Sequence, residues 1–200
     1  MNNRELLIQI ILELRSNGIK NYNVLKAVEL CPPHYYMSFF KTNIKKNIFI
    51  NELVGITKIL ELALSNNQKL ENILIIGFNK GWLLYLFSVF ARRVYGICEN
   101  LSQKEKLENI YIKNKYKNIY LNIGNSILSW KKVSPFDFIL SLKCINDDIS
   151  LASQFLTESG IAYLVKKKKN NTKNIIQLDS LSNYNKTKLN FNLLENSELL

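Results

Sequence analysis

The feature that most constrains the fold is a buried strand, a glycine-containing turn, a buried helix and a second buried strand within residues 73–99. Ile73–Gly77 is an apolar run that ends in glycine, and Gly81–Ala91 is a second apolar run that starts with one. Val94–Cys98 then has the composition of another strand. This order is typical of the first half of a doubly wound α/β fold, whose first turn faces a nucleotide cofactor. The turn here has two glycines where a cofactor turn has three.

From residue 72 onward, strand-length apolar runs alternate with segments of helical spacing, which is the pattern of a mostly parallel sheet covered on both faces. We predict one domain over residues 1–200. Residues 1–65 are predicted to form N-terminal helices with a short connection between them, and residues 72–200 an α/β core. The predicted strands are Ile73–Gly77, Val94–Cys98, Ile119–Ile123, Phe136–Leu142 and Ile161–Val165, with Ile175–Leu178 and Leu189–Leu193 as terminal antiparallel strands. The predicted core helices are Gly81–Ala91, Leu101–Tyr111 and Ile149–Thr157.

The N-terminal third is predicted to be helical. Apolar residues of the first helix share one face, and Asn17-Gly18 closes it as a C-cap. A second helix, Val24–Leu30, stops before a double proline. We predict that Asn51 caps a third helix and that Met37–Phe49 is a loop. Near the other end, Lys166–Lys169 is predicted to belong to a solvated hairpin loop.

The formal charge of +11 is compatible with nucleic-acid binding, yet the composition favours another origin for it. Lysine outnumbers arginine 23 to 4, and asparagine (27) and isoleucine (24) are also abundant. These three residues have AT-rich codons, so compositional drift explains the charge. Arginine, which binds phosphate and guanine in a bidentate manner, is scarce. We therefore rank compositional drift ahead of nucleic-acid binding.

Several other classes of protein are disfavoured. No run approaches the roughly 18 apolar residues of a membrane span, and polar residues interrupt the N-terminal apolar pattern, so a secretory signal is not expected. The cysteines at 31, 98 and 144 have no metal-site spacing and one would be left over in any disulfide pairing, so we expect the protein in a reducing cytoplasm. We also expect a monomer. Asp147-Asp148 is predicted to be a helix N-cap rather than a metal site, and the lone His34 a structural residue.

The order of these segments resembles that of the protein-L-isoaspartate O-methyltransferases, over roughly residues 4–180. The N-terminal motifs carry the most specific part of the likeness: Leu14-Arg15 with Gly18-Ile19, then Val24-Leu25 with Ala27, then Pro32-Pro33-His34. Ser134-Pro135-Phe136-Asp137 is similar to the family's "APFD" strand entry, and Gly124-Asn125 followed by Trp130 is similar to its "GDG..GW".

The resemblance implies a Rossmann-like fold that binds S-adenosylmethionine and methylates isoaspartyl carboxylates in damaged proteins. The cofactor-binding positions it implies are Gly77, Asn79, Gly81, Glu99 and Asn125. Asn51 stands in the place of the family's active-site serine. Two family carboxylates are replaced, one by Ile75 and the other by Cys98, with Glu99 one residue later. The family's substrate loop has no clear counterpart: only Phe49–Leu53 is similar to its last part, and the connection from Met37 is shorter than in the family.

The chemistry of such a methyl transfer depends on binding more than on acid–base groups. An isoaspartyl carboxylate is ionised at neutral pH, so no general base is needed, and the rate comes from alignment. Replacement of cofactor-binding carboxylates therefore predicts a degenerate family member with weak or no activity. The alternatives are an inactive scaffold or protein-binding module and, third, lysine-mediated nucleic-acid binding. Phe78 and Trp82 either pack in the core or partly close the cofactor pocket; both readings stay open here.

Overall fold

A six-stranded sheet forms the centre of the protein. The computed structural model describes residues 3–33, 43–66, 70–78, 81–143, 149–167 and 173–179. The strands in chain order are β1 (Leu70–Ile76), β2 (Ala91–Cys98), β3 (Ile119–Ile123), β4 (Phe136–Ser141), β5 (Leu156–Lys167) and β6 (Lys173–Asp179). They lie in the order β3-β2-β1-β4-β5-β6, and β6 is antiparallel to β5 whereas the other pairs are parallel. The predicted mostly parallel α/β sheet is confirmed.

Helices cover both faces of this sheet. They are α1 (Asn3–Ser16), α2 (Tyr22–Leu30), α3 (Asn43–Asn66), α4 (Trp82–Ser88), α5 (Leu101–Lys113) and α6 (Ile149–Gln154), with a 3-10 helix over Ile127–Val133. On one face of the sheet, a cluster of buried side chains includes residues from the helices α1 through α5. On the other face, a second cluster includes residues from the 3-10 helix and α6. The doubly wound arrangement follows from strands that are apolar on both sides.

The N-terminal helices are held to one another by packing and by hydrogen bonds from backbone amides to a side-chain carboxylate. Leu6, Ile10 and Leu14 are the buried face of α1, and Gly18 turns the chain at a φ of 88°. The carboxylate of Glu61 in α3 then accepts hydrogen bonds from the backbone amides of residues 20 and 21, at 2.9 and 2.7 Å. A helical extension before the core, as predicted, is therefore tied together across 40 residues of sequence.

The predicted start of the third helix is wrong. α3 begins at Asn43, so Asn51 lies inside the helix and does not cap it. The expected loop is helical over residues 43–49, and residues 37–42 lie outside the described residues. The physical reason is visible in the sequence: no glycine or proline interrupts residues 43–54, so the helical pattern that follows Asn51 extends backwards without a breaker.

Two predicted core helices end too late. Ala91 starts β2 instead of ending α4, because it pairs with Leu70 of β1. Thr157 belongs to β5, which pairs with β4 from Leu156 onward. Lys166 and Lys167 are the paired end of β5 rather than loop residues, and the rest of that predicted loop lies outside the described residues. The same holds for His34, Asn79, Cys144, Asp147-Asp148 and Leu189–Leu193.

Asp137 anchors the start of the central strand. One carboxylate oxygen accepts hydrogen bonds from the backbone amides of Glu71 and Asn72, at 2.8 and 2.9 Å. The other oxygen accepts one from the hydroxyl of Thr157 at 3.3 Å. A single side chain of β4 therefore connects β1 and β5. The motif that carries the family resemblance at this point has a structural role.

We expect Asp137→Ala to lower the free energy of unfolding by about 2–4 kcal/mol, because hydrogen bonds to a charged group are worth about 1.5–3 kcal/mol each and two backbone amides lose their acceptor. Asp137→Asn keeps one acceptor oxygen and is expected to lose less. Urea denaturation measures both. Glu105→Ala, on the exposed side of α5, is the control and should stay within about 0.5 kcal/mol of the parent. An equal loss in the Asp137→Ala and control proteins would contradict the anchoring role.

Candidate functional site

The carboxyl ends of four adjacent strands form one edge of the sheet. Gly77 follows β1, Glu99 follows β2, Asn125 lies two residues beyond β3, and Lys143 lies two residues beyond β4. Because β3, β2, β1 and β4 are neighbours in that order, these four positions line the same edge. In open α/β sheets, ligands bind outside the carboxyl ends of the strands, where the strand order reverses. Here that point is the end of β1.

The two glycines of the turn after β1 are required by close packing. Gly77 and Gly81 have φ values of 81° and 78°, in the region that favours glycine. A Cβ on Gly77 would lie 2.5 Å from the backbone nitrogen of Lys143. A Cβ on Gly81 would collide with the side chain of Leu107 and come within 2.5 Å of the Tyr111 hydroxyl oxygen. The turn is therefore pressed against the loop after β4 on one side and against α5 on the other.

The side chains that follow these glycines pack in the core. Phe78 and Trp82 are both 3% exposed. The ring of Phe78 lies over Gly96 of β2, 2.8 Å from where a Cβ would stand. The indole nitrogen of Trp82 donates a hydrogen bond to the carbonyl oxygen of Cys31 at 2.8 Å and so joins α4 to the end of α2. Core packing of both rings, one of the two readings from sequence, is what the structure contains; closure of a pocket stays a prediction.

Glu99 is an exposed carboxylate in the turn after β2. Its Oε1 atom lies 3.2 Å from the Nζ atom of Lys143, and the two side chains are 65% and 50% exposed. The Lys143 side chain starts beyond β4 and Glu99 beyond β2, so the ion pair crosses the end of β1. The carboxylate therefore reaches toward the place where the strand order reverses.

Gln103 connects the turns after β1 and β2, and it was missed in the sequence. Its Oε1 atom accepts a hydrogen bond from the backbone amide of Glu99 at 2.8 Å, and its Nε2 atom donates one to the carbonyl oxygen of Phe78 at 3.1 Å. Asn100 caps α5 by accepting a hydrogen bond from the backbone amide of Gln103. An N-cap residue followed by glutamine three positions later is a variant of the capping box, and that spacing is the signal that identifies Gln103.

The two positions where the resemblance would have placed carboxylates are fully buried. Ile75 and Cys98 are both 0% exposed. Burial raises the pKa of the Cys98 thiol to about 11, so this side chain is neutral at pH 7. Neither residue offers a charge to a ligand hydroxyl group. An exposed carboxylate is provided instead by Glu99, one residue beyond β2.

The remaining predicted site residues are placed unequally. Asn125 is exposed beyond β3, next to Gly124, whose amide donates a hydrogen bond to the carbonyl oxygen of Cys98 at 3.0 Å. Asn51 is exposed on α3, a helix that packs against α1 and α2. The structure thus brings Gly77, Glu99 and Asn125 to one edge, while Asn51 belongs to the helical extension.

A metal centre and a membrane span are both absent from the part of the chain that the structure describes. Within it, no three histidine, cysteine or acidic side chains come together in a way that would hold a metal ion. Among the described helices, none combines the length and the apolar character needed to cross a membrane.

Comparison with known proteins gives consistent names. A protein-L-isoaspartate O-methyltransferase of Dictyoglomus turgidum is 25% identical over 166 residues, which are 79% of this chain and 74% of that protein. Protein-L-isoaspartate O-methyltransferase 1 of Syntrophobacter fumaroxidans is 29% identical over 140 residues, 64% of this chain and 63% of that protein. No protein-family model matches the chain.

Solved structures agree with the fold. One protein-L-isoaspartate O-methyltransferase superposes with a TM-score of 0.73 at 13% identity, over 96% of this chain and 67% of its own. A second, described as a protein-L-isoaspartate O-methyltransferase from Plasmodium falciparum in complex with S-adenosyl-L-homocysteine, gives 0.67 at 13% identity, over 90% and 93%. The structures confirm a Rossmann-like methyltransferase fold, and the sequence matches confirm the resemblance to these enzymes.

We expect Gln103→Met to increase amide hydrogen exchange at Glu99, because the substitution removes the acceptor of that amide and detaches the Phe78 carbonyl group. Gln103→Glu keeps the acceptor for Glu99 but loses the donor to Phe78, so protection at Glu99 should persist. Exchange followed by NMR measures both. Gln154→Met, an exposed substitution in α6, is the control. Unchanged exchange at Glu99 in Gln103→Met would contradict the bridging role.

Proposed function

We propose that this chain binds S-adenosylmethionine at the carboxyl edge of β1, β2 and β3 and methylates isoaspartyl carboxylates in proteins with low turnover. The observation that carries the proposal is the combination, at one sheet edge, of the glycine turn after β1 and the carboxylate of Glu99 after β2. The names of the sequence relatives and the adenosyl ligand in the Plasmodium falciparum structure support the choice of cofactor and substrate.

The residues at this edge fit an adenosyl ligand in part. The positive φ values of Gly77 and Gly81 give the sharp turn after β1 and its close packing against α5. We propose that the exposed carboxylate of Glu99 accepts hydrogen bonds from ribose hydroxyl groups and that the amide oxygen of Asn125 accepts one from the adenine amino group. Asn79, also proposed to line this site, lies outside the described residues.

The rest of the proposed chemistry needs little from the protein. When bound, the cofactor supplies an electrophilic methyl group on a positively charged sulfur. The substrate carboxylate is ionised at neutral pH and is itself the nucleophile, so the protein has only to hold the reactants in line and exclude water. We propose Asn51, in the place of the family's serine, as the residue of the helical extension that contacts the substrate.

Because Ile75 and Cys98 offer no charged hydrogen-bond partner, we expect a low affinity of the site for S-adenosylmethionine. A hydrogen bond to a charged group is worth about 1.5–3 kcal/mol, and a micromolar site corresponds to about −8 kcal/mol. Loss of two such contacts leaves a Kd in the high-micromolar to millimolar range. This observation also favours the second candidate function, a retained scaffold or protein-binding module that no longer uses the cofactor.

Calorimetry with S-adenosylmethionine, together with methyl incorporation into an isoaspartyl peptide, tests the proposal. We expect a Kd between about 100 μM and a few millimolar and slow transfer to the isoaspartyl peptide, since only part of the site's polar contacts is present. Glu99→Gln should weaken binding about tenfold, because the charge on the ribose acceptor is lost. The matched control is Glu105→Gln, an exposed carboxylate in α5.

The possible outcomes separate the candidates. The same peptide with a normal aspartyl residue should accept no methyl groups. Binding without any transfer would remove the enzymatic part of the proposal and leave cofactor binding. No heat of binding at several millimolar cofactor would contradict the proposal and favour the inactive scaffold.

A further inference from the structure

The ion pair between Lys143 and Glu99 lies across the candidate cofactor site. Lys143 follows β4 and Glu99 follows β2, while β1 runs between these two strands. The 3.2 Å contact from Nζ to Oε1 therefore spans the carboxyl end of β1. That end carries Gly77, the first glycine of the turn. The pair occupies the point of the sheet where doubly wound folds bind their ligands.

The backbone at both ends of this pair is fixed. The hydroxyl group of Ser141 donates a hydrogen bond to the carbonyl oxygen of Lys143 at 3.0 Å, and the amide of Leu142 donates one to Ile76 of β1 at 2.9 Å. On the other side, Gln103 accepts a hydrogen bond from the amide of Glu99. The two side chains start from anchored positions, so their meeting over β1 follows from the local architecture.

The side chains themselves are exchangeable. Half or more of each is exposed, and ion pairs of that kind contribute little because water and salt screen them. A ligand that donates hydrogen bonds from its hydroxyl groups to Glu99 can therefore replace Lys143 with only a small loss of free energy. Until that happens, the ammonium group donates a hydrogen bond to Oε1, one of the two carboxylate oxygens that a ribose could use.

Resting on the function proposed above, we propose that Lys143 determines the affinity of this site by holding Glu99 in the unliganded protein. Ribose hydroxyl groups of an adenosyl ligand then compete with the lysine for the carboxylate. Lys143 thus acts through Glu99 and is a positioning residue with a negative effect on binding. Its replacement by an uncharged residue releases the carboxylate for the ligand.

The test is calorimetry with S-adenosyl-L-homocysteine, which carries no net charge at neutral pH and so is not attracted or repelled by the change in protein charge. Lys143→Met is expected to bind the ligand about two- to fivefold more tightly than the parent, the range that corresponds to an exposed ion pair. Lys143→Arg keeps the positive charge and should bind like the parent. Added salt should tighten binding by the parent and leave Lys143→Met unchanged, because salt screens the pair that competes with the ligand.

Two comparisons test whether Lys143 affects ligand affinity through Glu99. In a Glu99→Gln background, Lys143→Met should give no gain, so the double-mutant cycle has a non-zero coupling. Arg92→Met is the matched control, because Arg92 and Glu71 form an ion pair with the same 3.2 Å separation and similar exposure at the opposite, amino-terminal edge of the sheet. It should leave the affinity unchanged.

The outcomes distinguish this inference from the function on which it rests. Weaker binding by Lys143→Met would overturn the inference and make Lys143 a direct ligand of the homocysteine carboxylate. Equal binding by Lys143→Met, or an equal gain in the Glu99→Gln background, would overturn it as well. Absence of binding in every variant, Lys143→Met included, would overturn the proposed function.

Discussion

The pairing of β1 with β4 is the interaction on which the candidate site depends. At the start of β1, the carboxylate of Asp137 accepts hydrogen bonds from two backbone amides. At the end of β1, the carbonyl oxygen of Ile76 accepts one from the amide of Leu142. The strand is thus held to β4 at both ends. Because its length and register are set in this way, the chain leaves the sheet at a defined point, and Gly77 has to turn there against the backbone of Lys143. The position of the turn is a consequence of strand pairing.

Much of the fold was predictable because it is written in local apolar patterns. The strand Ile119–Ile123 has the predicted bounds, and the glycine turn lies where the run of residues 73–77 ends. The errors occur where partners distant in sequence decide. Ala91 ends an apolar run that predicts a helix but pairs with Leu70, and Thr157 falls in a strand that pairs with β4. No local pattern encodes such pairing. The hydrogen bond from Gln103 to Phe78 spans 25 residues, so hydrophobic periodicity does not predict it either. The capping-box spacing that places Gln103 at the start of α5 is local and can be recognised in the sequence.

The architecture does not require the carboxylates that its resemblance implies. Ile75 and Cys98 lie within the packed face that joins the sheet to the helices. A buried charge is costly unless it is fully paired, and an apolar residue of suitable volume in its place is often neutral or stabilising. The sheet is therefore compatible with apolar residues at these positions, whereas the proposed ligand finds no charged partner there. This asymmetry explains how the resemblance in fold persists, at TM-scores of 0.73 and 0.67, while the polar contacts change.

The position of the remaining carboxylate decides how strongly the edge can hold a ligand. At the last residue of β2, a carboxylate would start from a rigid, buried backbone and would be shielded from water. At Glu99, one residue later, the backbone amide is bonded to Gln103, while the side chain is 65% exposed and paired with Lys143. An exposed carboxylate gains less from each hydrogen bond, because water and Lys143 compete for it. A carboxylate one residue beyond β2 therefore offers the proposed cofactor less than a buried carboxylate at the end of β2 would.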